Sequence, residues 1–408
     1  MYIMLIIYFL LFIFLSCKNL KYGIYWVIFT LPSYLIRFDI FNLPTTLLEG
    51  EILMLFLVWL VKNIKNLKIT KGFLIPIFLF LISATISVFV SPSFYSALGI
   101  WKAYFIEPIL LLIVLVSTLK KKDLKDLFMV FGMQVVILSI FAIYQKFTGL
   151  FITNPFWADE ATRRVTSFFS YPNALALYLA PLVVLFLGFS VKKYIYLIPF
   201  VLGSFAIYFT KSKGALIAIL IGLIFYVLFY KGNRKYFVSI LAVVVILSGL
   251  LIGFGKIDLK GTSTVTGGDS VSTRLEMWSE TWEMIKTKPI LGAGLVGYQP
   301  AVAPFHEKEY IEVYLYPHNI FLNFWSEIGL LGLISFILII IYFYIYGFKK
   351  YDKWSIIAMA TMTALLIHGL VDVPYFKNDL SILFWVIIGV IMILRRSAGV
   401  VEQVTLEK

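Results

Sequence analysis

The sequence predicts an all-α fold: a polytopic membrane bundle of about 12–13 transmembrane helices with one long external loop carrying short amphipathic helices. Three observations carry this. Of the 408 residues, 61% are hydrophobic and 14% charged, with a mean hydropathy of +0.94, whereas soluble domains carry about 25% charged residues. Apolar runs of about 20 residues recur from end to end, each long enough to cross a bilayer as a helix. The connectors between them alternate, every second one being basic. Backbone groups in lipid must be paired internally, and runs of this length are helices rather than barrel strands.

In chain order, spans are expected near 2–16, 22–37, 46–61, 73–90, 99–119, 126–147, 173–190, 194–210, 213–230, 236–254, 319–347, 354–371 and 379–395. The first run, Tyr2 to Leu15, has no basic start and no small-residue cleavage motif, so it reads as a retained helix rather than a signal peptide. Lys18 and Lys21; Lys62, Lys65, Lys68 and Lys71; Lys120, Lys121, Lys122 and Lys125; Lys192 and Lys193; Lys231, Arg234 and Lys235; Lys349, Lys350 and Lys353; and Arg395 and Arg396 fill every second connector. The positive-inside rule makes these cytoplasmic. Connectors 38–45, 91–98, 148–172, 211–212, 255–318 and 372–378 then face outward. The C-terminus is expected inside and, with every span crossing, the N-terminus outside. Residues 1–408 read as a single membrane domain without internal repeat, ending in a polar tail at 397–408.

The formal charge of +13 does not read as nucleic-acid binding, because the basic residues are parcelled out between spans. Cys17 is the only cysteine, so neither a disulfide framework nor a cysteine metal site is expected. An outer DxD pair, an HExxH motif and a P-loop are all absent from the sequence, and the cytoplasmic connectors are too short for a nucleotide domain. Neither a metal nor another cofactor is expected. A transfer reaction here needs a donor already activated in the membrane.

Outward positive charge runs against the topology bias, and a bound anion is a reason for it. Arg163 and Arg164 lie in RRVTSFFSYPN, Lys211 and Lys213 in TKSKGA, and Arg274 in loop 255–318 with His306 and His318. Guanidinium groups grip phosphate oxygens bidentately, and Lys does so as a point charge. Lys211, Lys256 and Lys260 read as solvated loop charges. Arg164, Lys213 and Arg274, each near a span end or an amphipathic helix, read as anion ligands.

Arg274 opens a helix that Thr273 or Ser272 can cap, with Glu276 in its first turn. Trp278, Trp282 and Ile285 recur at helical spacing, as on a helix lying in the membrane interface. Pro289 ends it, and Gly292, Gly294 and Gly297 make a flexible or tightly turned link. Asn319, Asn323, Ser326 and Glu327 then form one polar stripe on the eleventh span. Polar groups in a span usually face the bundle interior or a wet cavity. His318, at the water boundary, is the candidate base. Asn319 also suits a helix cap, and Glu327 reads either as a buried structural carboxylate or as part of the site. Asp372, four residues after His368, either orients a histidine, lines an acceptor site or merely pairs locally. Lys102 and Glu107 in the fifth span read as pathway residues or structural partners.

RRVTSFFSYPNALALYLAPL, TKSKGALIAI, TRLEMWSETWEMIKTKPILGAGLVGY and YPHNIFLNFWSEIGLLGLI, in that order over 163–334, resemble the bacterial O-antigen ligase/O-antigen polymerase family. The resemblance implies a metal-independent, inverting glycosyltransferase with a GT-C-like helical bundle in the cytoplasmic membrane, its active site facing the periplasm or exterior. Its donor is a glycan on undecaprenyl diphosphate. Its acceptor is lipid A core of lipopolysaccharide, another glycan repeat or a protein hydroxyl. The family's loop arginine falls on Arg274 and its HN histidine on His318. Its Arg before the PN pair falls on Arg164, ahead of Pro172 and Asn173. Its SR motif falls on Ser212 and Lys213, which keeps the charge but loses the fork. Outside this class, the rival is a secondary transporter or flippase of an anionic lipid-linked envelope precursor. That rival predicts inverted repeats and ionisable or broken helices near the midplane, whereas here the polar residues gather at the outer face.

Overall fold

A run of apolar residues that must pair its own backbone in lipid closes into helix, and the described chain does so repeatedly. The computed structural model describes residues 2–40, 43–63, 67–190, 194–230, 270–306 and 312–397. The expected span 236–254, together with Lys65, Lys192, Lys193, Lys231, Arg234, Lys235, Lys256, Lys260 and the tail beyond 397, lies outside them. The helices are α1 (Tyr2–Lys18), α2 (Leu20–Phe29), α3 (Leu47–Asn63), α4 (Lys71–Val90), α5 (Phe94–Trp101), α6 (Glu107–Thr118) and α7 (Leu124–Thr148). They continue as α8 (Pro155–Ala158), α9 (Pro172–Ser190), α10 (Leu197–Thr210), α11 (Lys213–Phe229), α12 (Ser270–Thr287) and α13 (Tyr298–Val302), then α14 (Ile320–Lys350), α15 (Lys353–His368) and α16 (Asn378–Arg396). A π-turn at Lys102–Ile106 joins α5 to α6. An antiparallel hairpin pairs Arg37–Ile40 with Leu43–Thr46.

Among the described residues, six stretches are long and apolar enough to cross a membrane: 71–90, 94–118, 121–148, 172–190, 320–350 and 378–396. Shorter apolar helices accompany them, among them α10, α11 and α15. The protein is therefore an all-α polytopic membrane bundle. Helices occupy each expected span among the described residues. The second is shorter than expected: α2 stops at Phe29, and Leu31–Leu35 is a 3-10 turn, because Pro32 has no N–H with which to continue the helix.

The core sits on α9 and α16, whose apolar windows are 94% buried, as expected of helices that are hydrophobic all round. Small residues let neighbours approach: a Cβ on Gly222 of α11 would lie 3.0 Å from the Ala364 Cβ of α15. Aromatic packing among Phe80, Phe105, Phe324, Phe336, Tyr375 and Trp385 pins the α15–α16 connector to the bundle. The Tyr375 hydroxyl donates to the Tyr104 carbonyl at 2.8 Å and accepts from the Trp385 indole at 3.0 Å.

Among the described residues, the basic connectors gather at one end of the bundle. There Lys21 pairs with Asp123 at 2.6 Å, Lys121 pairs with Asp352 at 2.9 Å, and Arg396 donates to the carbonyls of Val116 and Leu119. Connectors 148–172, 211–212 and 369–377 and the described parts of the one before α14, 288–306 and 312–319, meet at the other end.

At that second end α14 is broken. Gly329 adopts φ 75° and ψ −179°, so the expected continuous span 319–347 is two helical segments. The chain between α12 and α13 fills the break. Leu330 N donates to the Ile290 carbonyl at 2.9 Å, Ala293 N to that of Ser326 at 2.6 Å, and Ser83 Oγ to that of Ile328 at 2.5 Å. Irregular backbone at membrane depth is tolerated when protein satisfies it in this way. Gly292 (φ 68°) and Gly294 (φ 81°) are required here, because a Cβ would stand 2.5 Å from Ser326 O and Ser91 N respectively. Of the two readings of this glycine link, the structure has the tightly turned one.

Candidate active site

Asn319 does what a short polar residue at a helix start does best. Its Oδ1 accepts from the N–H groups of Phe321 (3.0 Å) and Leu322 (3.1 Å), while its Nδ2 donates to the Leu370 carbonyl at 3.2 Å. Ile320 N donates to the Gly369 carbonyl at 2.7 Å. The start of α14 is thus stitched to the end of α15.

The stitch places His318, in the left-handed region at φ 47°, beside Asp372, with Nδ1 3.2 Å from Oδ1. Asp372 is buried. Burial alone pushes its carboxyl up, but His318, His368 and the Val373 N–H at 2.9 Å outweigh it and hold the group below the ordinary carboxylate value. An ionised carboxylate only accepts. The His318 proton therefore sits on Nδ1, which leaves Nε2 as the basic nitrogen. The imidazole is 28% exposed, so it remains accessible. The Tyr314 ring meets it edge-on at 5.4 Å.

The cations come to the same corner. Arg274 Nε donates to the Val371 carbonyl at 2.8 Å, one residue from Asp372. The α11 N-terminus abuts this point: a Cβ on Gly214 would lie 2.9 Å from Val371 Cγ2 and 3.1 Å from His368 Cδ2. Lys213 is the residue before. Arg164 holds the preceding turn, with Nε donating to the Thr210 carbonyl at 2.7 Å and Nη2 to Asn173 Oδ1 at 3.0 Å. Burial pushes its guanidinium down to about 10, which still leaves it charged at neutral pH. Trp278, four residues along α12 from Arg274, donates to the Pro317 carbonyl at 3.0 Å and so ties that helix to the His318 turn.

Other expected residues fall elsewhere. Glu327 is buried in the break of α14, where its two oxygens accept from the N–H groups of Val296 (2.7 Å) and Tyr298 (3.2 Å). Of its two readings, the bonds favour the structural one. His368 is buried, its Nδ1 without a hydrogen-bond partner among the described residues, while Asp372 bonds His318 rather than its neighbour on α15. Arg163 is occupied by the carbonyls of Ala158 (3.0 Å) and Lys146 (3.1 Å), and His306 by Glu280 at 3.0 Å. Lys102 pairs with Glu49 at 2.6 Å. Glu107 is buried, with no hydrogen-bond partner for either oxygen among the described residues.

Two residues at this end were not singled out by the sequence. Lys377 meets the criterion that selected Arg164, a basic residue on an outward connector at a span end. Gln145 gives no local signal. Buried in α7, it accepts from the N–H groups of Thr166 (3.0 Å) and Ser167 (2.7 Å) and donates to the Ser167 carbonyl at 3.0 Å, which shapes the turn after Arg164.

The architecture defines a multi-pass helical membrane protein whose loop arginine, helix-start lysine and carboxylate-oriented histidine share one end of the bundle. Residues 198–337 match the family model described as O-antigen ligase. Over these residues the chain is similar to that family, as its motifs indicated, and the likeness supports O-antigen ligase-type glycan transfer in general. The match takes in Lys213, Arg274 and His318 and stops short of Asp372, which the geometry adds. No curated protein matches the chain in a sequence comparison.

Proposed function

We propose that this protein is a metal-independent, inverting glycosyltransferase of the bacterial cytoplasmic membrane. In this reading the whole chain works as one membrane domain, and the site faces the periplasm or exterior. The donor is a glycan on undecaprenyl diphosphate, and the acceptor is a hydroxyl of another glycan or of a lipid-borne core. The observation that carries the reading is the adjacency of opposite chemistries: Arg274 bonds the carbonyl of Val371, and His318 bonds the carboxylate of Asp372.

Arg274 and Lys213 bind the diphosphate and stabilise the charge it gains on leaving. The uncapped N–H groups at the start of α11, where Ser212 makes no side-chain cap, add a further anion-binding element. Arg164 and Asn319 support these positions through backbone bonds. Asp372 holds Nδ1–H of His318. Nε2 takes the proton of the acceptor hydroxyl, whose oxygen attacks the anomeric carbon as the carbon–oxygen bond to diphosphate breaks. One displacement inverts the anomeric centre. The proton resides on imidazole and the electron pair on the departing diphosphate, so no metal or nucleotide is needed to balance the step.

The test is transfer by purified protein in proteoliposomes, from a defined undecaprenyl-diphosphate glycan, with chelator present. Product with inverted anomeric configuration is expected, along with a loss of about 10²–10³-fold in Arg274→Ala. A strict requirement for added divalent metal, or retained configuration, overturns the mechanism.

A further inference from the structure

The cluster around Lys377 is unused by this mechanism. Its ammonium lies over three aromatic faces, 4.5 Å from the Phe169 ring centre, 5.4 Å from Tyr171 and 5.5 Å from Tyr34. Among the described residues it makes no ion pair and no side-chain hydrogen bond. Burial pushes its pKa down, and the carboxylates of Asp379 and Asp372 act against that. Asp379, in the first turn of α16, is fully buried. The N–H groups of Asp379 and Leu380 at the helix start act on its carboxylate, and neither oxygen has a hydrogen-bond partner among the described residues. The buried Tyr34 hydroxyl also lacks one, and it feels the Asp379 charge most strongly among its neighbours.

Unpaired buried polar groups each cost about 1–3 kcal/mol, so the Asp379 carboxylate and the Tyr34 hydroxyl, beside an ammonium that meets only ring faces, call for a ligand that supplies donors and acceptors. Tyr171, at one side of the cluster, is 41% exposed. The cluster is also next to the reaction centre: Asp372, which holds His318, acts electrostatically on both Lys377 and Tyr171.

We propose that Lys377, Asp379, Tyr34 and Tyr171 form the subsite for the acceptor sugar, with a ring lying against the aromatic faces and its vicinal hydroxyls paired with the ammonium and the carboxylate. The charges choose the class of sugar. Lys377, with exposed Arg37 on the hairpin beside Tyr34, balances Asp372 and Asp379. A neutral hexose or N-acetylhexosamine fits, whereas a uronic acid would face two carboxylates. This subsite rests on the proposed transfer reaction for its meaning but not for its detection.

Saturation-transfer NMR on the protein in nanodiscs tests it, with methyl glycosides of glucose, galactose and N-acetylglucosamine and of glucuronic acid as probes. Signals from at least one neutral glycoside are expected, at least fivefold above glucuronide. Tyr171→Ala and Lys377→Met should each reduce them at least fivefold, while Lys211→Ala, on a neighbouring exposed turn, leaves them intact. Tyr171→Ala truncates a partly exposed ring, so it decides the matter if Lys377→Met fails to assemble. No neutral-glycoside signal, or an unchanged signal in Tyr171→Ala, overturns the subsite. Transfer by His318→Ala at the wild-type rate overturns the reaction instead and leaves the binding result standing.

Discussion

At the scale of single residues, the account turns on why one imidazole is a base. His318 sits where a carboxylate held ionised fixes its tautomer, and the rest of its edge remains accessible. Replacing Asp372 with Asn keeps the shape but removes the obligate acceptor. Transfer should fall by about 10²-fold or more as the wrong tautomer is populated, with the donor KM little changed; equal turnover in wild type and variant would remove Asp372 from the orienting role. The same pair makes a pH prediction. Because the folded carboxyl lies below its ordinary 3.8, its contribution to stability is fully present above that value. It is lost as pH falls through the lower folded pKa. Melting of purified protein between pH 6 and pH 3 should show wild type more stable than Asp372→Asn at the upper end, with the gap closing below the ordinary value. A constant gap contradicts this. His318 and Arg274 were legible in the sequence because a histidine at a span start and a cation on a connector expected to face outward both run against the pattern of the chain. The His318–Asp372 bond was not, since the partners are 54 positions apart and only the stitching of α14 to α15 brings them together.

At the scale of elements, the decisive feature is the broken helix. The chain from Pro289 to Tyr298 is threaded into α14, and Glu327 clamps it through two N–H groups. A buried carboxyl group that accepts two backbone bonds stabilises by about 1 kcal/mol per bond, and its loss leaves two N–H groups unpaired. Glu327→Ala should therefore lower the melting temperature by several degrees and weaken transfer indirectly, and limited proteolysis should cut between α12 and α13 where wild type resists. Wild-type protease resistance in the variant contradicts the clamp. Gly292→Ala should be worse than an ordinary glycine substitution, because its Cβ meets backbone rather than a side chain that can turn away. Melting of this variant close to wild type would show that the threading yields. The sequence carried half of this. The polar stripe and the glycines were visible, but apolar residues continue on both sides of Gly329, so hydropathy read straight through the break. Nor does periodicity show which backbone groups a distant loop will satisfy.

At the scale of the molecule, alternation of basic connectors did most of the work. Helices fall on the expected spans of the described chain, and its described lysine-rich connectors meet at one end, as a bundle threaded back and forth requires. Charge and hydropathy set this pattern locally, which is why it was legible; the assembly of the site from four distant connectors depends on packing among α4, α9, α11 and α14–α16 and was not. The sidedness can be measured in cells, because Cys17 is the only native cysteine. In a Cys17→Ser background, a cysteine placed at exposed Leu315 should react with an impermeant maleimide in intact cells. One at Lys122 should react only after permeabilisation, and the opposite pattern would invert the orientation.

The central claim is that His318 takes the acceptor proton in a glycan transfer from a lipid diphosphate. Single-turnover transfer in proteoliposomes, measured with saturating donor for wild type and His318→Ala, addresses it most directly. The account predicts that His318→Ala binds donor as wild type does but transfers about 10²–10⁴-fold more slowly. Transfer by His318→Ala at the wild-type rate would contradict it.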